Sequence, residues 1–294
     1  MKFIQGISQI VKDYDLLIVD IWGVIHDGNS PYPDIIETLT YLRQQQKKII
    51  LLSNAPRRAN KVKEVLEKMK ITDQYYDLII SSGELVHHQL KKNSQQNYNF
   101  FGKNFFYIGP NKDQDLITDL NYQLSSKISE ADFVLTTGFD HDQSQLSEKI
   151  EFILEAKKYN LPMICANPDL IVVRQNGDKM LCAGIIAKEY QKIQGQVFYF
   201  GKPYIEIYQY AITLLQNYLQ KKIEHHKILA IGDGLETDIL GANNFQIDNL
   251  FITDGILSNE FKVNLNNPED LIKVESKCKT INIIPKFIIS KLII

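Results

Sequence analysis

The stretch "VDIWGVIHDG", residues 19–28, decides the reading of this chain. An apolar run from Leu16 to Val19 stops at an acid, Asp20, and a glycine-containing turn follows Trp22. A carboxylate at the end of a buried strand is costly unless cations or hydrogen-bond donors surround it. The rest of the sequence supplies such groups. Ser53 and Asn54 follow "IILL", Lys202 follows "VFYFG", and Asp233 follows "ILAIG" within "GDGLETDILGA". Each falls just past an apolar run, where open α/β sheets bind ligands.

Working outward from these runs, short β-rich segments alternate with helical ones. Residues 34–46 place Ile35, Ile36, Leu39 and Leu42 at helical spacing. "KKIILLSN" reads as a strand, "ANKVKEVLEKMK" as a helix and "YYDLIISSGE" as a strand with its turn. Such alternation predicts an α/β fold with a parallel sheet and crossover helices. The strand runs lack strict alternation, as strands covered on both faces do. A second α/β block holds "NFFYIGP", "DFVLTTGF" and "PMICANPD" as strands and "GIIAKEYQKIQG" as a helix. The chemically loaded run ends flank this block. The chain therefore reads as a core domain, residues 1–82 and 197–294, interrupted by an inserted α/β domain, residues 83–196.

Two acids, one lysine, a hydroxyl and an amide converging in one crevice suit a divalent metal and a phosphate. Hard Mg²⁺ takes one or two carboxylates with water and phosphate oxygen. Lys202 can neutralise phosphate charge, and Ser53 and Asn54 can donate hydrogen bonds to it. Taken singly, each motif is also an ordinary turn or helix cap.

In their joint order these motifs resemble the haloacid dehalogenase (HAD) superfamily, and within it the NagD-like class IIA hydrolases. "DIWGVIHDG", "LLSNAPR", "IISSGE", "ANPD", "LCAG", "FGKP" and "GDGLETDILGA" carry the likeness. The resemblance implies a Rossmann-like parallel-sheet core with a large inserted cap, and Mg²⁺-dependent hydrolysis of a small phosphorylated metabolite through a phosphoaspartyl enzyme. It places Asp20 on the nucleophile and Ser53, Asn54 and Lys202 on phosphate binding. Asp20, Asp233, Asp238 and the backbone carbonyl of Trp22 fall on the metal site. In the cap, Asp169 and Arg174 fall on the stretch that faces substrate. A dimer through the caps would follow by analogy.

Trp22 departs from the usual superfamily pattern, in which an acid two residues after the nucleophile moves the proton. An indole N–H is a donor only. His26 and Asp27 are the nearest alternative proton sources, while Arg57 and Arg58 could meet a second anionic group. A HAD-fold protein that binds ligand without turnover, or one with non-phosphate chemistry, stays open on this residue.

Composition narrows the setting. The 294 residues are 44% hydrophobic and 23% charged, with a net charge of −2. No charge drives the chain toward nucleic acid or an anionic membrane. Three scattered cysteines without a Cys-x-x-Cys pair fit a reducing, cytoplasmic setting, and no segment reads as a signal peptide or a membrane span. His87 and His88, and His225 and His226, read as solvated.

Overall fold

The computed structural model describes residues 1–95, 101–173, 178–255 and 267–294. In chain order the first elements are β1 (Lys2–Phe3), β2 (Leu16–Asp20), α1 (Ile35–Gln44), β3 (Lys48–Ser53), α2 (Ala59–Lys68), β4 (Leu78–Ser81) and α3 (Ser82–Gln95). The second block holds β5 (Asn104–Ile108), β6 (Gln123–Leu124), β7 (Phe133–Thr136), α4 (Ile150–Lys158), β8 (Met163–Cys165), β9 (Ile171–Val173), β10 (Lys179–Leu181), α5 (Ala183–Lys192) and β11 (Val197–Tyr199). The chain then runs through α6 (Ile205–Leu219), β12 (Ile228–Gly232), α7 (Leu240–Asn244), β13 (Asp248–Ile252), α8 (Pro268–Thr280) and β14 (Phe287–Ile289).

Seven strands form the core sheet in the order β1-β14-β13-β12-β2-β3-β4, with parallel pairings. Alternate residues of its central strands enter opposite cores. Leu17 and Val19 of β2 and Ile49 and Leu51 of β3 pack with Leu39 and Leu42 of α1 and Leu66 of α2. Leu16, Ile18, Ile50 and Leu52 pack instead with Ile207, Tyr208, Ala211 and Leu215 of α6. Both faces are therefore covered, which is why "LLIV" and "IILL" are uninterrupted apolar runs.

The inserted domain has its own five-stranded parallel sheet, order β11-β8-β7-β5-β6, and a two-stranded antiparallel hairpin, β9 with β10. Helices α4 and α5 contribute to one of its cores through Ile153, Ala156, Ile186 and Tyr190. Helix α3 ties the two domains together. Its Leu85 packs in the core domain, while Val86 and Leu90 pack in the inserted one.

One boundary moves. The sequence reading starts the returning core at residue 197, but β11 pairs with β8 in the inserted sheet: Val197 with Met163, Phe198 with Ile164, Tyr199 with Cys165. The chain returns after Tyr199. An apolar run such as "VFYF" carries strand character but not the identity of its partner. At the other join, residues 82 and 83 lie together in α3, so no loop separates the domains there. No helix among the described residues is long and apolar enough to cross a membrane.

Candidate active site

Three adjacent core strands, β12, β2 and β3, each deliver a polar residue at their carboxyl ends. Asp20 ends β2, Ser53 ends β3, and Asp233 follows β12. Lys202 arrives differently. It follows β11 of the inserted sheet and precedes α6 of the core, so the loop that joins the domains carries it. All four residues are buried, as are Asn54 and Asp238.

The Lys202 ammonium donates to Asp20 Oδ1 and, at 2.7 Å, to Asp238 Oδ1. Burial opposes its charge, but Asp20, Asp238 and Asp169 outweigh that and hold its pKa well above the usual lysine value. Carboxylate oxygens of Asp20, Asp233 and Asp238 lie within 4.8 Å of one another. Burial, then repulsion from Asp238, pushes the Asp20 carboxyl up, with Lys202 opposing and Asp233 adding to the rise. Two acids share the one ammonium and a third, Asp233, lies beside them. Hard oxygen donors crowded in this way suit a divalent cation.

The acids are held from behind. Asp238 sits in one turn of π-helix, Leu235–Ile239, and its Oδ2 accepts from the Gly234 N–H at 3.1 Å and the Thr237 hydroxyl at 3.3 Å. Both Asp238 oxygens are so engaged, one by Lys202 and the other by the turn that carries it. Asp233 approaches the loop after Asp20 closely: a Cβ built on Gly23 would lie 1.9 Å from Asp233 Oδ2. Gly23 also has φ of +87°, a conformation that glycine adopts without strain.

Asn54 plays a different part from the one its position suggests. Its amide N–H₂ donates to Asp169 Oδ1 at 2.8 Å and to the Lys202 carbonyl at 3.1 Å, and its Oδ1 accepts from the Lys202 N–H at 2.7 Å. Both side-chain donors are therefore committed to protein. The side chain fixes Lys202 and reaches across to the inserted domain. Gly201, at φ +135°, permits this approach, since a Cβ there would stand 2.6 Å from Asn54 Oδ1. The Ser53 hydroxyl accepts from the Ala55 N–H at 3.1 Å, which leaves its proton for a ligand.

Trp22 also reaches the inserted domain. Its indole N–H donates to the Val173 carbonyl of β9 at 3.0 Å. Asp169 lies beside Asn54 as described, while Arg174 lies outside the described residues. His26 and Asp27 belong to the turn itself. His26 Nδ1 accepts from the Gly28 N–H at 2.9 Å, and burial pushes the imidazole down to about 4. Asp27 Oδ1 accepts from the N–H groups of Asn29 and Ser30, each at 2.8 Å.

Arg57 and Arg58 are not aimed at a ligand. Arg57 pairs with Asp113 of the inserted domain at 2.8 Å, and Arg58 grips Glu84 of α3 at 2.9 and 3.2 Å. His87 is buried, not solvated, with Nε2 2.8 Å from Asp119.

Comparison with known proteins shows which family the chain resembles. Residues 17–123 match the family of haloacid dehalogenase-like hydrolases, and residues 199–274 match a second HAD-hydrolase-like family. The chain belongs to the haloacid dehalogenase-like hydrolases. A solved HAD-like hydrolase from Brucella suis 1330 is 26% identical and superposes with a TM-score of 0.83, covering 98% of this chain and 99% of that one. A "possible sugar phosphatase" of the HAD superfamily from Cytophaga hutchinsonii is 23% identical, with a TM-score of 0.80 over 100% and 99% of the two chains. Among curated proteins, an acid sugar phosphatase of Staphylococcus haemolyticus is 21% identical over 85% of this chain and 89% of its own length. The matched family segments include Asp20, Ser53, Lys202, Asp233 and Asp238.

Proposed function

We propose that this HAD hydrolase is a Mg²⁺-dependent phosphatase of small phosphorylated metabolites, with Asp20 as the covalent nucleophile. The observation that carries the reading is the buried cluster of Asp20, Asp233 and Asp238, two of whose acids, Asp20 and Asp238, share the ammonium of Lys202. Asp20, Asp233 and the Trp22 carbonyl would hold the ion, with Asp238 behind them. Bound there, Mg²⁺ would offset charge on the phosphoryl oxygens. The sugar phosphatase names of two relatives support a phosphate ester as substrate.

Each residue then has a task. The Asp20 oxygen not facing Lys202 attacks phosphorus, and the ester oxygen leaves on the opposite side. Lys202 pairs with the nucleophile, so its charge reduces repulsion between Asp20 and an incoming phosphate. Ser53 donates its hydroxyl proton to a phosphoryl oxygen. Water then cleaves the phosphoaspartate and restores Asp20.

The test is turnover of a panel of phosphate esters by the full chain with Mg²⁺, beside Asp20→Asn. The expected result is hydrolysis of at least aryl phosphates by the wild type and none by Asp20→Asn. Binding of Mg²⁺ and phosphate without turnover of any ester would overturn the reading in favour of a ligand-binding protein.

A further inference from the structure

A phosphatase built this way needs a proton donor for the leaving oxygen, and position 22 supplies none. The indole proton of Trp22 is committed to the Val173 carbonyl. The neighbours are committed as well. His26 is held neutral and accepts a backbone bond. Asp27 Oδ1 holds the turn, while its Oδ2 is sealed inside the protein where no leaving group reaches.

One carboxyl faces the site from the other domain. Asp169 follows β8 in the inserted domain, and its Oδ1 accepts from Asn54 Nδ2 at 2.8 Å. Asn54 in turn holds the backbone of Lys202. Among the described residues, the amide of Asn54 is the only side-chain donor bonded to Asp169, so Oδ2 is available to a ligand. Displacement by Asp20 expels the ester oxygen on the far side of phosphorus. The inserted domain meets the loops after β2 and β3 through the Trp22–Val173 and Asn54–Asp169 bonds, which brings Asp169 to the carboxyl end of the core sheet.

Resting on the phosphatase reading above, we infer that Asp169 is the general acid and base of this enzyme, taking the place of the acid missing at position 22. In the first half-reaction, Asp20 forms a bond to phosphorus as the P–O bond to the leaving group breaks. The electron pair stays on the leaving oxygen, which takes the proton of the Asp169 carboxyl. In the second, Asp169, now a carboxylate, accepts a proton from water as that water's oxygen bonds to phosphorus. The P–O bond to Asp20 breaks, inorganic phosphate departs, and protonated Asp169 and ionised Asp20 are restored.

The surroundings suit that task. Burial raises the Asp169 carboxyl to about 6, with Lys202 and the Asn54 bond lowering it and Asp238 raising it. A carboxyl in this range exchanges protons near neutral pH, where an ordinary one would be almost wholly ionised. The other titratable groups facing it, Cys165 and Cys182, are buried thiols pushed up and uncharged.

Asp169→Asn tests the inference, since the amide can still accept the bond from Asn54 but cannot move a proton. Initial phosphorylation of the enzyme is followed as the burst of released alcohol, with p-nitrophenyl phosphate and an alkyl phosphate such as a sugar phosphate. The variant should phosphorylate from the alkyl ester ~10²–10⁴-fold more slowly than wild type. It should keep a stoichiometric nitrophenol burst at near wild-type rate, followed by slow dephosphorylation. The wild-type alkyl reaction should also lose rate as pH rises through about 6, relative to the aryl reaction. This second measurement decides the matter if the variant does not fold. Equal loss on both esters would reduce Asp169 to a clasp, and wild-type rates on the alkyl ester would remove it altogether. Parallel wild-type pH profiles for the two esters would also refute the role. A wild type that hydrolyses neither ester defeats the phosphatase reading, and the inference with it.

Discussion

Replacing Lys202 with methionine removes the cation that pairs with Asp20 and Asp238 and leaves a side chain of similar length. Lys202 is 3% exposed, and its partners Asp20 and Asp238 are 7% and 5% exposed. Deleting one member of such a buried pair costs about 3–5 kcal/mol, because a charge is left buried without compensation. Here two carboxylates lose their partner with Asp233 close by, so the upper half of that range is expected. At ~2–4 °C per kcal/mol, the melting temperature should fall by on the order of 10 °C. Saturating Mg²⁺ should raise the melting temperature of Lys202→Met more than that of wild type, since the ion replaces part of the lost positive charge. Turnover should fall by ~10²–10³-fold, the usual cost of losing one electrostatic contact to a developing anion. The assay is thermal unfolding of both proteins with and without Mg²⁺, beside initial rates. A melting temperature within ~2 °C of wild type in the absence of Mg²⁺ would refute the claim that Lys202 is wedged between buried carboxylates.

Trp22→Phe keeps the aromatic bulk and deletes the bond to the Val173 carbonyl, so it should weaken closure of the inserted domain. Steady-state kinetics should show KM raised by about three- to tenfold, matching ~1 kcal/mol, with kcat nearly unchanged. Gly23→Ala forces a side chain into positive φ and against Asp233, and calorimetry should find Mg²⁺ affinity lowered by more than about tenfold, matching the ~1–3 kcal/mol of such backbone strain. Asp233→Ala should weaken Mg²⁺ binding far more than Asp254→Ala, because Asp254 lies beyond β13, outside the acid cluster.

The strand ends were legible because strand character is local. "LLIV", "IILL" and "ILAIG" are apolar throughout, and the acid or hydroxyl that breaks each run marks where the chain leaves the sheet. Asp20, Ser53 and Asp233 follow from that alone. What stayed hidden depends on pairing between distant segments. Nothing in "VFYF" tells that it joins the inserted sheet, so Lys202 looked like another core strand end. The amide of Asn54 looked like a phosphate donor because its partners, Asp169 and Lys202, lie 115 and 148 residues away. Arg57 and Arg58 looked available for the same reason, with Asp113 56 residues off and Glu84 26 residues off. The hairpin of β9 with β10, which meets Trp22, has strands of three residues each, too short for a periodic pattern.

The central claim is that Asp20 becomes phosphorylated, and trapping that bond tests it most directly. The full-length protein would be mixed with Mg²⁺ and an aryl phosphate, quenched in the steady state and reduced with borohydride, which converts an acyl phosphate of aspartate to homoserine. Peptide mass spectrometry should find homoserine at position 20, and Asp20→Asn should give no such product. Steady hydrolysis by the wild type with Asp20 unmodified, or with the modification at another residue, would contradict the account.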